Sequence, residues 1–208
     1  MIQLVVDSTA AIPKDFLEKH ANVHVIPLFI SVKGEYVPEY EATIEQVIDY
    51  SESTKKAVPT SQPSTGDFLK MFETIPKEDP IIVICITSGV SGTYNGAVLA
   101  ARQSGRKNIT VINSRTTAIG MMEIVEDALE FIDQGLSFEE ISKALMKSAE
   151  NMRTTFTVDT LDYLRRGGRI GKAAGLIGSI LKIKPVIFLN DKNEVDVLAK
   201  VRTSKKAT

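Results

Sequence analysis

PIIVICITSGVSGTYNGAVLAARQS, residues 80–104, is the stretch that decides the fold. Residues 81–87 form an almost unbroken apolar, β-branched run, which predicts a central strand buried on both faces. Small and hydroxyl residues follow at 88–93, and apolar residues then recur with the spacing of a helix packed on the sheet: Tyr94, Ala97, Val98 and Ala101. This arrangement leaves backbone N–H groups free at the carboxyl end of the sheet, where open α/β sheets bind ligands and a helix dipole favours an anion. We therefore expect a ligand site at this turn.

The flanking segments alternate between strand and helix patterns. Strands are predicted at residues 2–6, 23–32 and 109–112, the first of them ending in the polar residues 7–9. Helices are predicted at 13–19, at 44–53 after Thr43, after Ser64, at 118–134, and from the capping box of Ser137 and Glu140 to about residue 151. This alternation predicts a three-layer α/β domain with a parallel sheet over residues 1–150.

The chain changes character after residue 150. A strand is predicted at 153–158, followed by a basic, glycine-rich segment at 161–172 and a small-residue helix at 173–181. Two strands, 184–189 and 194–201, form a β-hairpin around residues 191–193. One helix is little for an independent core, so we expect residues 151–208 to form a smaller, incomplete α/β C-terminal domain.

Composition limits the class of protein. The chain has 208 residues, 43% of them apolar, and no apolar run of about 18 residues or N-terminal leader, so we expect a cytoplasmic protein without stable membrane insertion. Its single cysteine, Cys85, lies within the predicted central strand. This predicts a core thiol, excludes a disulfide scaffold and fits a reducing compartment.

Charge is distributed unevenly along the chain. Residues 1–162 carry a formal charge of −9 and residues 163–208 carry +8. This asymmetry is compatible with an acidic partner, an anionic ligand or a separate domain surface, and equally with an ordinary solvated surface.

Motifs for catalysis are missing from the sequence. Gly89 to Gly92 lacks the second glycine of the G-x-S-x-G elbow, because Thr93 stands there, and the segment around Lys172 departs from the P-loop pattern. The two histidines, His20 and His24, suit neither a hydrolase base nor a metal site. We expect no metal and no cofactor. Hydroxyls on sheet-edge loops without acid–base groups favour a binding protein over an enzyme.

A second hydroxyl-rich segment, residues 58–64, contains two prolines and is dense in turn-forming residues, which predicts a loop. Ser64 suits a helix cap, which leaves binding and structural roles equally open for Thr60 and Ser61.

Five ordered segments resemble the DegV family: DSTAAIP (7–13), TSQPS (60–64), SGVSGTYNGA (88–97), LDYLRRGGRIGKAAGLIGSILKIKP (161–185) and KVRT (200–203). Members of this family bind fatty acids and serve as lipid-presenting subunits of bacterial fatty acid kinases. The resemblance implies two α/β domains with a long-chain fatty acid, such as palmitate, between them. It also implies that a partner kinase catalytic subunit, rather than this chain, phosphorylates the acid for phospholipid synthesis.

The resemblance also implies site residues. Thr60 and Ser91 hold the carboxylate, with Ser61, the Gly92 N–H and Thr93 as neighbours, while Arg169 and Arg202 contact the kinase or the developing phosphate. Family members usually continue further, to a late histidine near the carboxylate. The resemblance therefore implies either a fragment or a short gene product, with its competence in phosphoryl transfer open. The small-residue segment 173–180 either lines the acyl tunnel or packs closely on the sheet.

Two other functions compete with fatty-acid binding as interpretations of the sequence. The glycine-rich turn at a helix start also fits an α/β enzyme acting on a small phosphorylated metabolite. A nucleic-acid binder is disfavoured, because Tyr163 and Phe188 are the only aromatic residues in the basic segment 163–208, too few for a stacking platform.

Overall fold

The protein is described from a computed structural model, which covers residues 1–32, 34–176 and 184–201. The strands of these residues are β1 Gln3–Asp7, β2 Val23–Ile26, β3 Phe29–Val32, β4 Glu35–Pro38, β5 Thr60–Ser61, β6 Ile81–Cys85, β7 Ile109–Asn113, β8 Thr155–Thr157, β9 Lys184–Leu189 and β10 Val195–Val201. The α-helices are α1 Lys14–Lys19, α2 Ile44–Thr54, α3 Thr65–Thr74, α4 Thr93–Gln103, α5 Ile119–Asp133, α6 Phe138–Asn151 and α7 Asp162–Arg166. Short 3-10 helices cover Ser8–Ala10, Glu39–Glu41 and Gly171–Leu176.

A parallel sheet in the order β2-β1-β6-β7 forms the centre of the molecule. Alternate residues of β6 point to opposite faces, and all five are buried. Ile82 and Ile84 pack with residues of α5 and α6, whereas Ile81 and Val83 pack with residues of α3 and α4. Helices therefore cover both faces, and the predicted three-layer architecture is confirmed. Cys85 is fully buried, as a core thiol should be.

Helix starts follow the predicted capping chemistry. Ser64 and Ser137 each accept a hydrogen bond from the backbone N–H three residues later, and the acidic side chain there bonds back. Thr43 forms the same reciprocal box with Gln46. These local interactions satisfy N–H groups that have no partner inside the helix. No helix among the described residues is long and apolar enough to cross a membrane.

A second sheet, of order β4-β3-β5, is antiparallel and corrects two predictions. The predicted single strand at 23–32 is divided into β2 and β3, because Pro27 has no N–H for a sheet ladder and the Leu28 N–H donates to Ser8 Oγ at 2.8 Å. Residues 60 and 61, expected in a loop, instead form β5 and pair with β3. The chain thus crosses from one sheet to the next beside the end of β1.

The third sheet, of order β10-β9-β8, contains the predicted hairpin. Asn193 in its turn has a φ of +64°, a left-handed conformation that asparagine tolerates well. The predicted helix at 173–181 is wrong over its described part, which is the 3-10 helix ending at Leu176; residues 177–181 lie outside the described residues. Gly171 explains the difference: its φ is +51°, and a Cβ there would lie 2.2 Å from the Val195 oxygen, so the segment lies directly on β10.

The third sheet contacts the carboxyl end of the parallel sheet. Arg115, after β7, donates from Nε to Asn193 Oδ1 at 3.2 Å and from Nη2 to the Asp191 oxygen at 2.9 Å. Gly89, after β6, lies so close to the hairpin that a Cβ would sit 1.9 Å from the Asn193 oxygen. The β9–β10 turn therefore lies against the loops that carry the predicted ligand site.

Candidate ligand-binding site

Ser91 and Thr93 form a compact pair of hydroxyls between β6 and α4. Their oxygens are 2.8 Å apart, and Ser91 Oγ also accepts from the Thr93 N–H at 3.3 Å. Thr93 is fully buried, whereas Ser91 is half-buried. Such short side-chain-to-backbone bonds stabilise a turn locally. The turn therefore has a defined shape with Ser91 as its accessible hydroxyl.

The start of α4 offers backbone donors. Gly92 occupies the N-cap position and has no side chain to cap the helix, so the side-chain acceptor at its first N–H is Ser91 Oγ, on Thr93. The first N–H groups of a helix lack internal acceptors and carry the positive end of the dipole. The 11-residue helix can thus contribute N–H groups to a bound anion beside Ser91.

Thr60 and Ser61 lie on β5, opposite Ile30 and Phe29 of β3. Both side chains are exposed, and Ser61 Oγ donates to the Gln62 oxygen at 3.1 Å. Pairing with β3 therefore holds this segment in a strand rather than in a flexible turn.

Gln62 joins the two hydroxyl segments. A Cβ on Gly92 would lie 2.2 Å from Gln62 Oε1, and one on Gly96 would lie 3.3 Å from Gln62 Nε2. The side chain of Gln62 therefore lies along the first turn of α4. This contact places β5 next to the Ser91–Thr93 turn, as ligand binding by both segments requires.

Arg169 lies at the same turn. Its Nε donates to the Val90 oxygen at 3.1 Å and its Nη1 to the Gly167 oxygen at 2.6 Å. The side chain is exposed, so it adds a positive charge next to Ser91 while remaining accessible. Arg202, the second predicted basic contact, lies outside the described residues.

Asp7 connects the carboxyl ends of β1 and β6. Its Oδ2 accepts from the Ile86 N–H at 2.6 Å, and its Oδ1 accepts from the N–H and the hydroxyl of Thr9. Burial raises the pKa of Asp7, although these hydrogen bonds act in the opposite direction. Partial burial likewise raises the pKa of Glu39. A hydrogen bond with Ser8 lowers this pKa, and the charge of Asp7 raises it. The Asp7 carboxyl thus anchors the chain five residues before Ser91.

The two histidines contact Gln3 and Phe16, away from the candidate ligand site. His24 Nε2 is 2.8 Å from Gln3 Oε1 at the amino end of β1, and burial lowers its pKa. His20 packs on Phe16 with ring centroids 4.4 Å apart. Among the described residues, no group of three or more His, Cys, Asp and Glu side chains could hold a metal ion. The arrangement at Ser91 can hold an anion by hydrogen bonds, and the described residues place no imidazole beside it.

Sequence reasoning missed two features of this site. The contact of Gln62 with α4 could have been suspected from the glycines at 92 and 96, which share one helix face. The Thr87 hydroxyl, fully buried at the end of β6, has no hydrogen-bond partner among the described residues, and nothing in the sequence indicates this.

A model of the family described as "Uncharacterised protein, DegV family" matches residues 1–208. The chain belongs to the DegV family. A DegV domain-containing protein of Staphylococcus aureus (strain COL) is 39% identical over 190 residues, which cover 90% of this chain and 67% of the relative.

Solved structures of DegV proteins share the fold. One, described under "Fatty Acid Binding of a DegV family Protein from Thermus thermophilus", has a TM-score of 0.90 and 31% identity over 99% of this chain and 73% of that one. A stearic acid-binding protein from Eubacterium ventriosum has a TM-score of 0.84 and 30% identity over 100% of this chain and 73% of that one. The chain thus spans roughly two thirds to three quarters of these DegV relatives.

Proposed function

We propose that this DegV chain binds a long-chain fatty acid without catalysing a reaction and presents its carboxylate to a fatty acid kinase catalytic subunit. The observation that carries the proposal is the contact of Gln62 with Gly92, which brings two hydroxyl segments together at an uncapped helix start. DegV relatives whose descriptions name fatty acid or stearic acid binding support it.

The carboxylate lies between β5 and the start of α4. Thr60 and Ser91 donate hydrogen bonds to it, with Ser61, the Gly92 N–H and Thr93 as neighbours. Hydroxyl and backbone donors suit an anion that must be released again, because they bind it without adding a buried countercharge. Arg169, held at Val90, remains available for the kinase or for the phosphate that forms on the carboxylate. Arg202 is proposed to act with it.

The acyl chain supplies most of the affinity. Each methylene removed from water contributes about 0.8 kcal/mol, so a long tail outweighs the few hydrogen bonds of the headgroup. We place the tail between residues 1–150 and residues 151–208, taken as two domains, along residues 173–176; the rest of the small-residue segment 173–180 lies outside the described residues. A separate cavity of about 670 Å³ between α2 and β3 is less suitable, since Asp49, Glu52 and Lys55 are among its lining residues.

The role of a carrier follows from the same groups. Phosphorylation of the bound acid belongs to the partner kinase and leads to phospholipid synthesis in the cytoplasm. This chain then needs no cofactor, because its contribution is to bind, shield and hand over the acyl chain.

Lipid mass spectrometry tests the proposal directly. The purified chain is denatured and extracted, and we expect about one acyl chain per protein molecule, as a single tunnel implies. The stripped protein should then bind added palmitate or oleate. Absence of an extracted acyl chain together with no binding of either acid would refute fatty-acid binding.

A small phosphorylated metabolite is the second candidate, because the start of α4 has no side-chain cap. It predicts that inorganic phosphate or sulfate displaces the bound ligand and that detergent has no effect. Displacement by detergent but not by phosphate favours the fatty acid instead.

A further inference from the structure

Gly92 has unusual surroundings for a glycine with ordinary backbone angles. Its φ of −79° and ψ of 3° are accessible to other residues, so its conformation does not require glycine. What is unusual is its neighbour: a Cβ would lie 2.2 Å from Oε1 and 3.1 Å from Cδ of Gln62, at the end of a flexible side chain. The side chain of Gln62 therefore packs directly on Gly92.

Gly96 extends this contact surface by one helical turn. A Cβ there would lie 3.3 Å from Gln62 Nε2 and 3.8 Å from the Pro63 oxygen. Residues four apart lie on one face of a helix, so the two glycines form a shallow groove along α4. The amide of Gln62 lies in this groove.

The Gln62 side chain contacts α4 by packing, although the residue as a whole is exposed. Within the described part of the chain, the hydrogen bond at Gln62 is the one that its backbone oxygen accepts from Ser61, and its side-chain amide has none. Pro63, the next residue, is buried and has a restricted φ. A shift of Gln62 would therefore be transmitted to the preceding residues of β5.

We propose that Gln62 is a positioning residue for the ligand headgroup. By lying on Gly92 and Gly96, its side chain sets the distance between the hydroxyls of Thr60 and Ser61 and those of Ser91 and Thr93. The proposal rests on the fatty-acid site proposed above, and it adds a residue that does not touch the carboxylate. Bulk of the right length at position 62, rather than an amide, is what the site needs.

The test uses the full chain, stripped of lipid and titrated with oleate by calorimetry. Gln62→Ala should weaken oleate binding about tenfold, the loss of roughly one good hydrogen bond through misplacement. Gln62→Met keeps the length without the amide and should bind within about twofold of the unchanged protein. Gln103→Ala, at the exposed end of α4, is the matched control and should change nothing.

Gly92→Ala approaches the same contact from the helix. The new methyl group displaces a flexible side-chain end, so we expect about tenfold weaker binding with little change in Tm. Combining it with Gln62→Ala should weaken binding no further, because both changes remove one contact. If Gly92→Ala does not fold, the Gln62 variants decide the question alone.

Oleyl alcohol distinguishes a loss of headgroup positioning from a general loss of ligand binding. It has the same tail without a carboxylate, so Gln62→Ala should leave its affinity unchanged. An equal loss for oleate and the alcohol, or oleate binding by Gln62→Ala equal to that of the unchanged protein, would overturn the role of Gln62. Failure of the unchanged protein to bind either oleate or palmitate, with no acyl chain in its lipid extract, would instead refute the proposed function.

Discussion

Ser91 and Thr60 are the two hydroxyls with the largest expected effect on ligand affinity. Removing either oxygen leaves one carboxylate acceptor without its donor, so Ser91→Ala and Thr60→Ala should each weaken oleate binding by about 1–3 kcal/mol. Isothermal titration of the stripped protein measures this directly.

Ser53→Ala is a suitable control for these two changes. Ser53 is exposed like Thr60, but its hydroxyl donates to backbone oxygens within α2, at 2.6 Å from that of Asp49. Its replacement should leave oleate affinity unchanged. Equal affinities for all three variants would exclude Ser91 and Thr60 from the headgroup site.

Cys85 should be chemically silent in the folded protein. The thiol is fully buried, and burial raises its pKa well above the usual value, with a further increase from the charge of Asp7. Since the thiolate is the reactive form, a disulfide reagent should label the native protein very slowly and label it completely in denaturant. Rapid labelling under native conditions would mean that β6 opens far more readily than its packing implies.

At the scale of single elements, the capping box of α6 gives a prediction with a definite pH dependence. Glu140 bonds to the hydroxyl and N–H of Ser137, and these hydrogen bonds lower its pKa. A lowered pKa in the folded state stabilises the protein above the unfolded value of 4.5, and this stabilisation is lost as the pH falls. Ser137→Ala should cost about 1 kcal/mol in unfolding free energy at pH 7.

Urea unfolding at pH 7 and pH 3 measures the effect of Ser137→Ala. The difference from the unchanged protein should shrink at pH 3, because protonated Glu140 no longer completes the box. Ser142→Ala, on the same helix, removes a hydroxyl that bonds to Thr110 Oγ1 at 3.1 Å rather than to a carboxylate, so its effect should not shrink at pH 3 in this way. A Ser137→Ala deficit that stays constant with pH would contradict the box as the cause.

Elements differed in how well the sequence predicted them, and local chemistry explains the difference. The start of α6 depends on residues 137–140, all within one turn, so it could be predicted from the sequence. The short strand β5 depends on pairing with β3, about 30 residues away, and its two residues carry no periodic signal. The conformation of β5 is therefore determined by tertiary pairing and could not be predicted from local turn-forming residues.

At the scale of the whole molecule, the distinction between local and long-range contacts also applies to the two parts of the site, the Ser91–Thr93 turn and β5. Ser91 could be located from the strand–turn–helix pattern alone, because one continuous segment builds it. The contact of Gln62 with α4 and the bond of Asp7 to Ile86 join distant segments, and the glycines at 92 and 96 are only an indirect sign of the first. The DegV motifs supplied the link between Thr60 and Ser91 that periodicity could not.

The β9–β10 turn holds the third sheet against the parallel sheet. Arg115 makes two hydrogen bonds to the β9–β10 turn and is the side chain that most directly connects the two. Arg115→Ala removes both, about 1–2 kcal/mol of interaction, and leaves the parallel sheet intact. Hydrogen exchange should therefore accelerate in β9 and β10 and stay unchanged in β1 and β6.

Arg102→Ala, on the exposed side of α4, removes the same charge without contacting the hairpin. It should change neither hydrogen exchange in β9 and β10 nor the release of oleate. Because we place the acyl tail between these two parts of the molecule, Arg115→Ala should also speed the release of oleate. Faster exchange in β9 and β10 with unchanged oleate release would mean that the tail lies elsewhere, whereas unchanged exchange would mean that Gly89 and its close packing on Asn193 hold the sheets together without the arginine.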